Sequence, residues 1–190
     1  MIAGIGHNRG PVCEGATWRA TCWSHARKQL LGPRLPVEVV RMRIVRARAL
    51  GLDYQTYAGV RSMTGRDLIA FLFSSNALGV FCDGQALDHV RQSKLAGVTA
   101  DRHLGCAPRL DAVLLGARIG ASSARRLPVF GTAWAAMRDD MKSWLRAQTL
   151  PGDAVLMIGE TEHERELMAA GGLAGFISGH DYFERQQNAL

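Results

Sequence analysis

The sequence has few cysteines, few aromatic side chains and no long hydrophobic run. Four cysteines in 190 residues are too few to cross-link a domain of this size, so we expect reduced thiols. No stretch approaches the run of about 18 apolar residues that a membrane-spanning helix needs, and the N-terminus lacks the charged-then-apolar order of a signal peptide. We therefore expect a soluble, cytoplasmic protein without a membrane partner.

Positive charge is concentrated in the N-terminal third of the chain. Residues 1–66 carry 11 Lys or Arg against 3 Asp or Glu, whereas residues 67–190 carry 12 against 14. Of the 23 basic residues 20 are arginine, whose planar fork suits bidentate contacts with phosphate or carboxylate. The N-terminal third is therefore a candidate for contact with nucleic acid, although a high-GC genome would produce the same arginine bias without any function.

The composition and the positions of turn-forming glycines and prolines predict three segments within one domain. Residues 1–16 are expected to form a flexible tail, residues 17–66 a basic helical segment and residues 67–190 an α/β core. The first predicted helix is Thr17 to Leu31. Cys22 and His25 could place two metal ligands on one face of this helix, with Cys13 as a third metal ligand. Zinc sites normally show a second pair of ligands at matching spacing, and none follows, so packing is the favoured interpretation.

The clearest helical pattern is Val37 to Leu50, which has two apolar faces and is therefore expected to pack on both sides. The borders between these faces hold four arginines: Arg41, Arg43, Arg46 and Arg48. Arginines along two edges suit a duplex less well than a single basic stripe. A short helix after Asp53 admits a helix-turn-helix interpretation, but the third helix is missing, because Leu68 to Phe73 has the apolar density of a strand.

Small polar residues follow this strand, and a basic segment follows later in the chain. Ser74, Ser75 and Asn76 stand where a parallel strand presents ligand-binding groups, yet hydroxyls that cap the following turn explain them equally well. Leu110 to Ile119 suits a helix or a strand. Gly116 to Arg126 is interpreted as a loop, and its Arg125 and Arg126 are further candidates for contact with phosphate.

The C-terminal part predicts a β-α-β unit. Ala154 to Ile158 is a continuous apolar run typical of a strand buried on both faces, and Thr161 can cap a helix with an acidic first turn. Gly171 and Gly172 end that helix, and Leu173 to Ile177 resembles a second strand. Together with the strands before it, this unit predicts a three-layer, Rossmann-like α/β domain with a mainly parallel sheet of about four or five strands.

One stretch of this unit resembles a known family. The run from Gly159 to Glu164 (GETEHE), followed by Ala169 to Gly175 (AAGGLAG), resembles the fourth motif of the haloacid-dehalogenase-like (HAD-like) hydrolases. These are Rossmann-like enzymes that use the two acids of that motif to hold magnesium. The resemblance covers about 35 of 190 residues. It implies that Glu160 and Glu164, both Glu where Asp is usual, are metal ligands and that magnesium is a cofactor.

The nucleophile of that family has no counterpart here. A family strand comparable to Leu68–Phe73 ends either in the nucleophilic Asp or in a phosphate-binding Ser or Thr. In the first alignment Ser74 replaces the nucleophile and Asn76 the second acid, and in the other Ser75 is the phosphate ligand. The resemblance therefore implies a non-catalytic HAD-like domain that binds a phosphorylated ligand or a protein partner.

Two alternative functions remain. One is a nucleic-acid-associated protein that uses the arginines named above; the N-terminal string I-G-H-N-x-G-P resembles tags of phage- and plasmid-linked bacterial proteins. The other is a magnesium-dependent phosphohydrolase whose nucleophile the sequence does not identify. Neither alternative defines a substrate.

Overall fold

The computed structural model describes Trp23 and residues 35–184. The predictions for the N-terminal tail, for the first helix and for Cys13, Cys22 and His25 lie outside these residues. The chain divides into two compact units, Met1–Val40 and Arg41–Leu190. Of the first unit the structure describes Trp23 and residues 35–40, where a helix begins, and the second unit contains the whole sheet.

Within residues 35–184 two helices precede the first strand, and strands and helices alternate after it. The helices are α1 (Val37–Ala49), α2 (Tyr54–Thr64), α3 (His89–Gly97), α4 (Ala112–Ile119), α5 (Trp134–Ala147), α6 (Glu162–Gly171) and α7 (Gly179–Glu184). The strands are β1 (Ala70–Ser74), β2 (Asp101–Cys106), β3 (Ser123–Arg126), β4 (Val155–Gly159) and β5 (Gly175–Ser178). A short 3₁₀ turn, Gly152–Ala154, leads into β4. No helix in the described part of the chain is long and apolar enough to cross a membrane.

The strands form one parallel sheet in the order β3-β2-β1-β4-β5. Parallel neighbours need crossover connections, which the helices supply, so helices cover both faces of the sheet. The predicted three-layer, Rossmann-like α/β fold is therefore confirmed. The central strand β1 pairs with β2 on one side and β4 on the other, so that Phe73 lies opposite both Leu104 and Ile158.

Successive side chains of β1 pack into two different hydrophobic cores, one on each face of the sheet. Phe71 and Phe73 pack on the face covered by α1, α2, α3, α4 and α7, while Ala70 and Leu72 pack on the face covered by α5 and α6. All five residues of β1 and all five of β4 are buried, as the continuous apolar runs predict. The two central strands thus hold both layers together.

Two predictions about local structure are wrong. The helix α1 buries one face only, because Ala47 is buried whereas Met42 and Val45 are 68% and 65% exposed. A helix in an outer layer needs only one apolar stripe against the sheet. The second apolar face of α1 therefore remains exposed. The segment Gly116–Arg126 is not a loop: it contains the last turn of α4 and the strand β3. Its polar sequence gave no strand signal because β3 is an edge strand and is only half-buried.

A buried histidine lies between the sheet and α5. The Nδ1 atom of His103 on β2 is hydrogen-bonded to Ser123 Oγ at 2.8 Å, and Trp144 Nε1 donates to the same oxygen at 3.1 Å. The Nε2 atom of His103 is buried and has no hydrogen-bond partner in the part of the chain that the structure describes. Burial lowers the pKa of His103 below its ordinary value of 6.5.

We expect His103 to make the fold sensitive to acid. Its folded-state pKa lies below the unfolded one, so the unfolded chain binds a proton first, and the free energy of unfolding should fall as the pH drops below about 6.5. His103→Gln should flatten this slope in denaturant titrations between pH 7 and pH 5. The exposed His89→Gln is the control and should leave the slope unchanged; an unaltered slope in His103→Gln would contradict the assignment.

A second expectation concerns the central strand β4. Ile158 is completely buried, so Ile158→Asp would place a carboxylate without a partner in the core, which costs several kcal/mol out of a typical stability of about 5–15 kcal/mol. Circular dichroism should show an unfolded or severely destabilised protein. The same change at Ile69, which is 40% exposed just before β1, should be tolerated. A stable Ile158→Asp variant would show that β4 is not a core strand.

Candidate functional site

The sheet has one position where the strand order reverses, between β1 and β4. From β1 the chain builds outward through β2 and β3, and it then returns to build β4 and β5 on the opposite side. Ligands of open α/β sheets bind beyond the carboxyl ends of the strands at such a point. Ser74 is the last residue of β1, Ser75 and Asn76 follow it, and Glu160 follows β4, so the topology brings the two predicted groups to the same edge of the sheet, where the crevice of such folds lies.

A side-chain hydrogen bond joins the two groups directly. Asn76 Nδ2 donates to Glu164 Oε1 at 2.9 Å, although the residues are 88 positions apart. The other carboxylate oxygen, Glu164 Oε2, accepts the backbone N–H groups of Glu160 at 2.6 Å and Thr161 at 2.9 Å. Glu164 is only 3% exposed. Its carboxylate therefore occupies two of the backbone donors with which a strand end and a helix N-terminus would bind an anion.

Glu164 and Thr161 form a reciprocal cap on α6. Thr161 Oγ1 accepts the Glu164 N–H at 3.3 Å, while the Glu164 carboxylate accepts the Thr161 N–H. The sequence correctly predicts Thr161 as the capping residue. It does not show that Glu164 is the second member of the cap, since an acid at this spacing also matches the metal-binding motif.

The two serines hold backbone turns. Ser74 Oγ accepts the Ala77 N–H at 3.0 Å, and Ser75 Oγ accepts the Ala107 N–H at 3.0 Å, which ties the end of β1 to the loop after β2. Both side chains are buried. Among the described residues no histidine, lysine or carboxylate is hydrogen-bonded to either hydroxyl, so neither serine has the neighbouring base that a serine nucleophile needs.

Glu160 is the exposed acid of the crevice. Within the described residues its carboxylate makes no hydrogen bond or ion pair, and its Oε2 atom lies against Gly179 at the start of α7. A Cβ atom on Gly179 would come within 2.8 Å of Glu160 Oε2 and of the Cα and O atoms of Ala77. Three segments thus meet at this point: the turn after β1, the end of β4 and the β5–α7 junction. Sequence reasoning missed Gly179, for which a glycine directly after a strand was the available signal.

The fit of this site to magnesium depends on Glu160. Magnesium sites in proteins often use one or two carboxylates and keep several waters. Both oxygens of Glu164 already accept hydrogen bonds, so of these two acids Glu160 is the one whose carboxylate oxygens have no hydrogen-bond partner within residues 35–184. In the part of the chain that the structure describes, no three His, Cys, Asp or Glu side chains are grouped for a metal ion. Magnesium binding stays a prediction, with Glu160 as its single direct ligand and Glu164 behind it.

The structure does not bring the predicted nucleic-acid contacts together. On α1, Arg46 forms an ion pair with Asp67 and donates to the Leu68 carbonyl at 2.7 Å. On β3, Arg125 pairs with Asp140 of α5, across the sheet from α1. Arg126 donates to the Leu110 carbonyl at 3.3 Å.

The other predicted contacts lie on α1. Arg41 and Arg48 are exposed and have no ion-pair partner among the described residues, and the buried Nε of Arg43 has no hydrogen-bond partner. Three arginines of α1 are therefore left with uncommitted guanidinium groups. Nucleic-acid binding stays a prediction that depends on these three.

Comparison with protein-family models, with curated proteins and with solved structures finds no match to this chain. The resemblance to the HAD-like hydrolases therefore depends on the motif between Gly159 and Gly175, and it stays a prediction.

The packing at the crevice can be tested with glycine substitutions. Gly179→Ala should destabilise the protein by about 1–3 kcal/mol, because the new methyl group meets the Ala77 backbone and the Glu160 carboxylate. The control is Gly59→Ala in the middle of α2, where a Cβ meets nothing within 4 Å. That change should stabilise by about 0.5–1 kcal/mol through helix propensity. Equal effects of the two substitutions in urea titrations would contradict the close approach at Gly179.

Proposed function

We propose that this chain is a non-catalytic α/β binding domain that takes its ligand in the crevice between β1 and β4. The observation that carries the proposal is the contrast between two acids. Glu164 is buried and accepts three hydrogen bonds, whereas the neighbouring Glu160 carboxylate makes none within the described residues, and both lie at the point where the strand order reverses. Ligands of this architecture bind at that point.

The charge of the crevice restricts the ligand. The Glu164 carboxylate already occupies the backbone donors of the β4–α6 turn, so a bare anion would meet a negative charge and few unoccupied N–H groups. A cation is attracted by Glu160. A phosphorylated ligand is therefore expected to enter with magnesium, which would be held by Glu160, while Asn76 and the turn after β1 form the wall beside it.

The polar side chains give no support for catalysis. Formation of a phosphoryl-enzyme needs an activated nucleophile in line with phosphorus. Ser74 and Ser75 are buried, their oxygens hold backbone N–H groups, and no described base contacts them. The protein is thus proposed to bind its ligand and to leave it unchanged.

A thermal-shift experiment with magnesium tests the proposal. Magnesium at about ten times its Kd should stabilise the folded protein by about 1.4 kcal/mol, which corresponds to a Tm shift of about 3–6 °C. Glu160→Gln should abolish the shift. The control Glu162→Gln removes the same charge two residues away, where the carboxylate faces Arg165, and should retain the shift. Inorganic phosphate without magnesium should have no effect.

Two results would overturn the proposal. The absence of any magnesium effect that depends on Glu160 would remove the binding site. Hydrolysis of a phosphomonoester by the wild-type protein that disappears in Glu160→Gln would make the protein a phosphohydrolase with an unidentified nucleophile.

A further inference from the structure

The helix α4 has an apolar outer face. Its sequence, AVLLGARI, contains no polar side chain before Arg118. Leu115 and Ile119 are buried against the sheet, but Val113 and Leu114 on the outer side are 75% and 63% exposed. A helix that is apolar all round is normally covered on all sides. The outer face of α4 therefore has the composition of a buried surface.

The loop after β1 extends this apolar surface. Phe81 is 69% exposed, and the loop next to it forms with α4 a cleft of about 320 Å³. The residues that line the cleft include Asp83, Asp111, Leu114, Ala117 and Arg118. We refer to Phe81, Val113, Leu114 and Ala117 as the α4 patch.

Charged side chains of opposite sign, without an ion-pair partner among the described residues, lie at the two ends of the α4 patch. Asp111 caps the N-terminus of α4, and Asp83 Oδ1 accepts the Asp111 N–H at 2.8 Å, so both acids lie at that end. Arg118 lies in the last turn, at the other end. None of the three forms an ion pair with another described residue. The patch therefore has two acids at one end, apolar side chains in the middle and Arg118 at the other end, while Arg126 donates to the Leu110 carbonyl beside the two acids.

We propose that a second copy of this chain covers the α4 patch and that the two α4 helices pack antiparallel about a twofold axis. A twofold interface uses the same surface on both copies, so the surface must be complementary to itself. Antiparallel packing places Asp83 and Asp111 of each copy beside Arg118 of the other. The apolar side chains meet in the centre, where contacts between copies remove them from water.

A small apolar ligand bound in the cleft would cover less of the α4 patch than a second copy of the chain would. Phe81 and Val113 lie outside the residues that line the cleft, so a molecule bound there would leave both of them exposed. It would also leave the charges at the two ends without partners. A second copy covers the apolar side chains and pairs the charges at the same time.

Sedimentation velocity of the full chain over a range of concentrations tests the apolar part of the interface. The wild-type protein should form a reversible dimer. Leu114→Glu should weaken dimerisation about tenfold or more, because each copy then buries an unpaired carboxylate. Since Leu114 is largely exposed in the single copy, this variant should keep its fold and its Tm at low concentration. The control Phe130→Glu alters an exposed side chain that contacts His163 of α6, on the opposite face of the sheet, and should dimerise like the wild type.

A charge exchange tests the antiparallel arrangement. Asp83→Lys places two positive groups together at each end of the dimer, and Arg118→Glu places negative groups together, so each variant alone should dimerise about tenfold or more weakly. An equimolar mixture of the two variants should recover dimers, because both ends of the mixed dimer then carry opposite charges. Recovery is specific to the antiparallel pairing, since general damage to either variant would not be repaired by mixing.

Three outcomes would overturn the inference. These are a protein that is monomeric at every concentration, a dimer that Leu114→Glu leaves unchanged, and a mixture of the charge variants that remains monomeric. A monomer that releases a tightly held apolar compound on denaturation would assign the cleft to a small ligand instead.

Discussion

The burial of β1 and β4 on both faces is the constraint on which the rest of the structure depends. Strands buried on both sides must satisfy every backbone N–H and C=O within the sheet and must be covered by helices above and below. The parallel pairing of Phe73 with Leu104 and Ile158 meets the first requirement, and the two cores meet the second. Because the strand order reverses between these two strands, the same constraint creates the crevice at their carboxyl ends.

The crevice is stabilised from within by a carboxylate. Glu164 satisfies two backbone N–H groups at the start of α6 and accepts a hydrogen bond from Asn76 beyond β1. A buried acid with three such donors holds the end of β4, the first turn of α6 and the turn after β1 in fixed positions. The neighbouring Glu160 is thereby left as the one uncommitted acid of the pair. The two acids of the motif thus have different environments, although they are equivalent in the sequence pattern.

The loop after β1 contributes to both proposed surfaces. Asn76 at its start contacts Glu164 at the crevice, whereas Val80, Cys82, Asp83 and Gly84 form one wall of the cleft beside α4. The crevice is polar and acidic, and the α4 patch is apolar with a charge at each end. The chemistry of the two surfaces therefore suits different occupants, a cation-bearing ligand in the first and a second copy of the chain on the other.

Local sequence patterns were sufficient for the fold class. Ala154 to Ile158 predicts a buried strand because a two-sided burial requires a continuous apolar run, and Thr161 predicts the cap of α6 because a cap involves neighbours in the chain. The strand β3 was predicted as part of a loop, because an edge strand of sequence SARR has no periodic pattern of apolar residues. The second apolar face of α1 was also misjudged, because the sequence shows which side chains are apolar but not how many layers lie above them.

The site itself was decided by tertiary structure. The sequence by itself determined that small polar residues follow one strand and acids follow another. Only the strand order placed these strands side by side, and only the contact between Asn76 and Glu164, 88 residues apart, separated a structural acid from an uncommitted one. The close approach of Gly179 to Ala77 has the same origin. Such contacts join distant segments, and their geometry depends on packing that no local pattern of residues records.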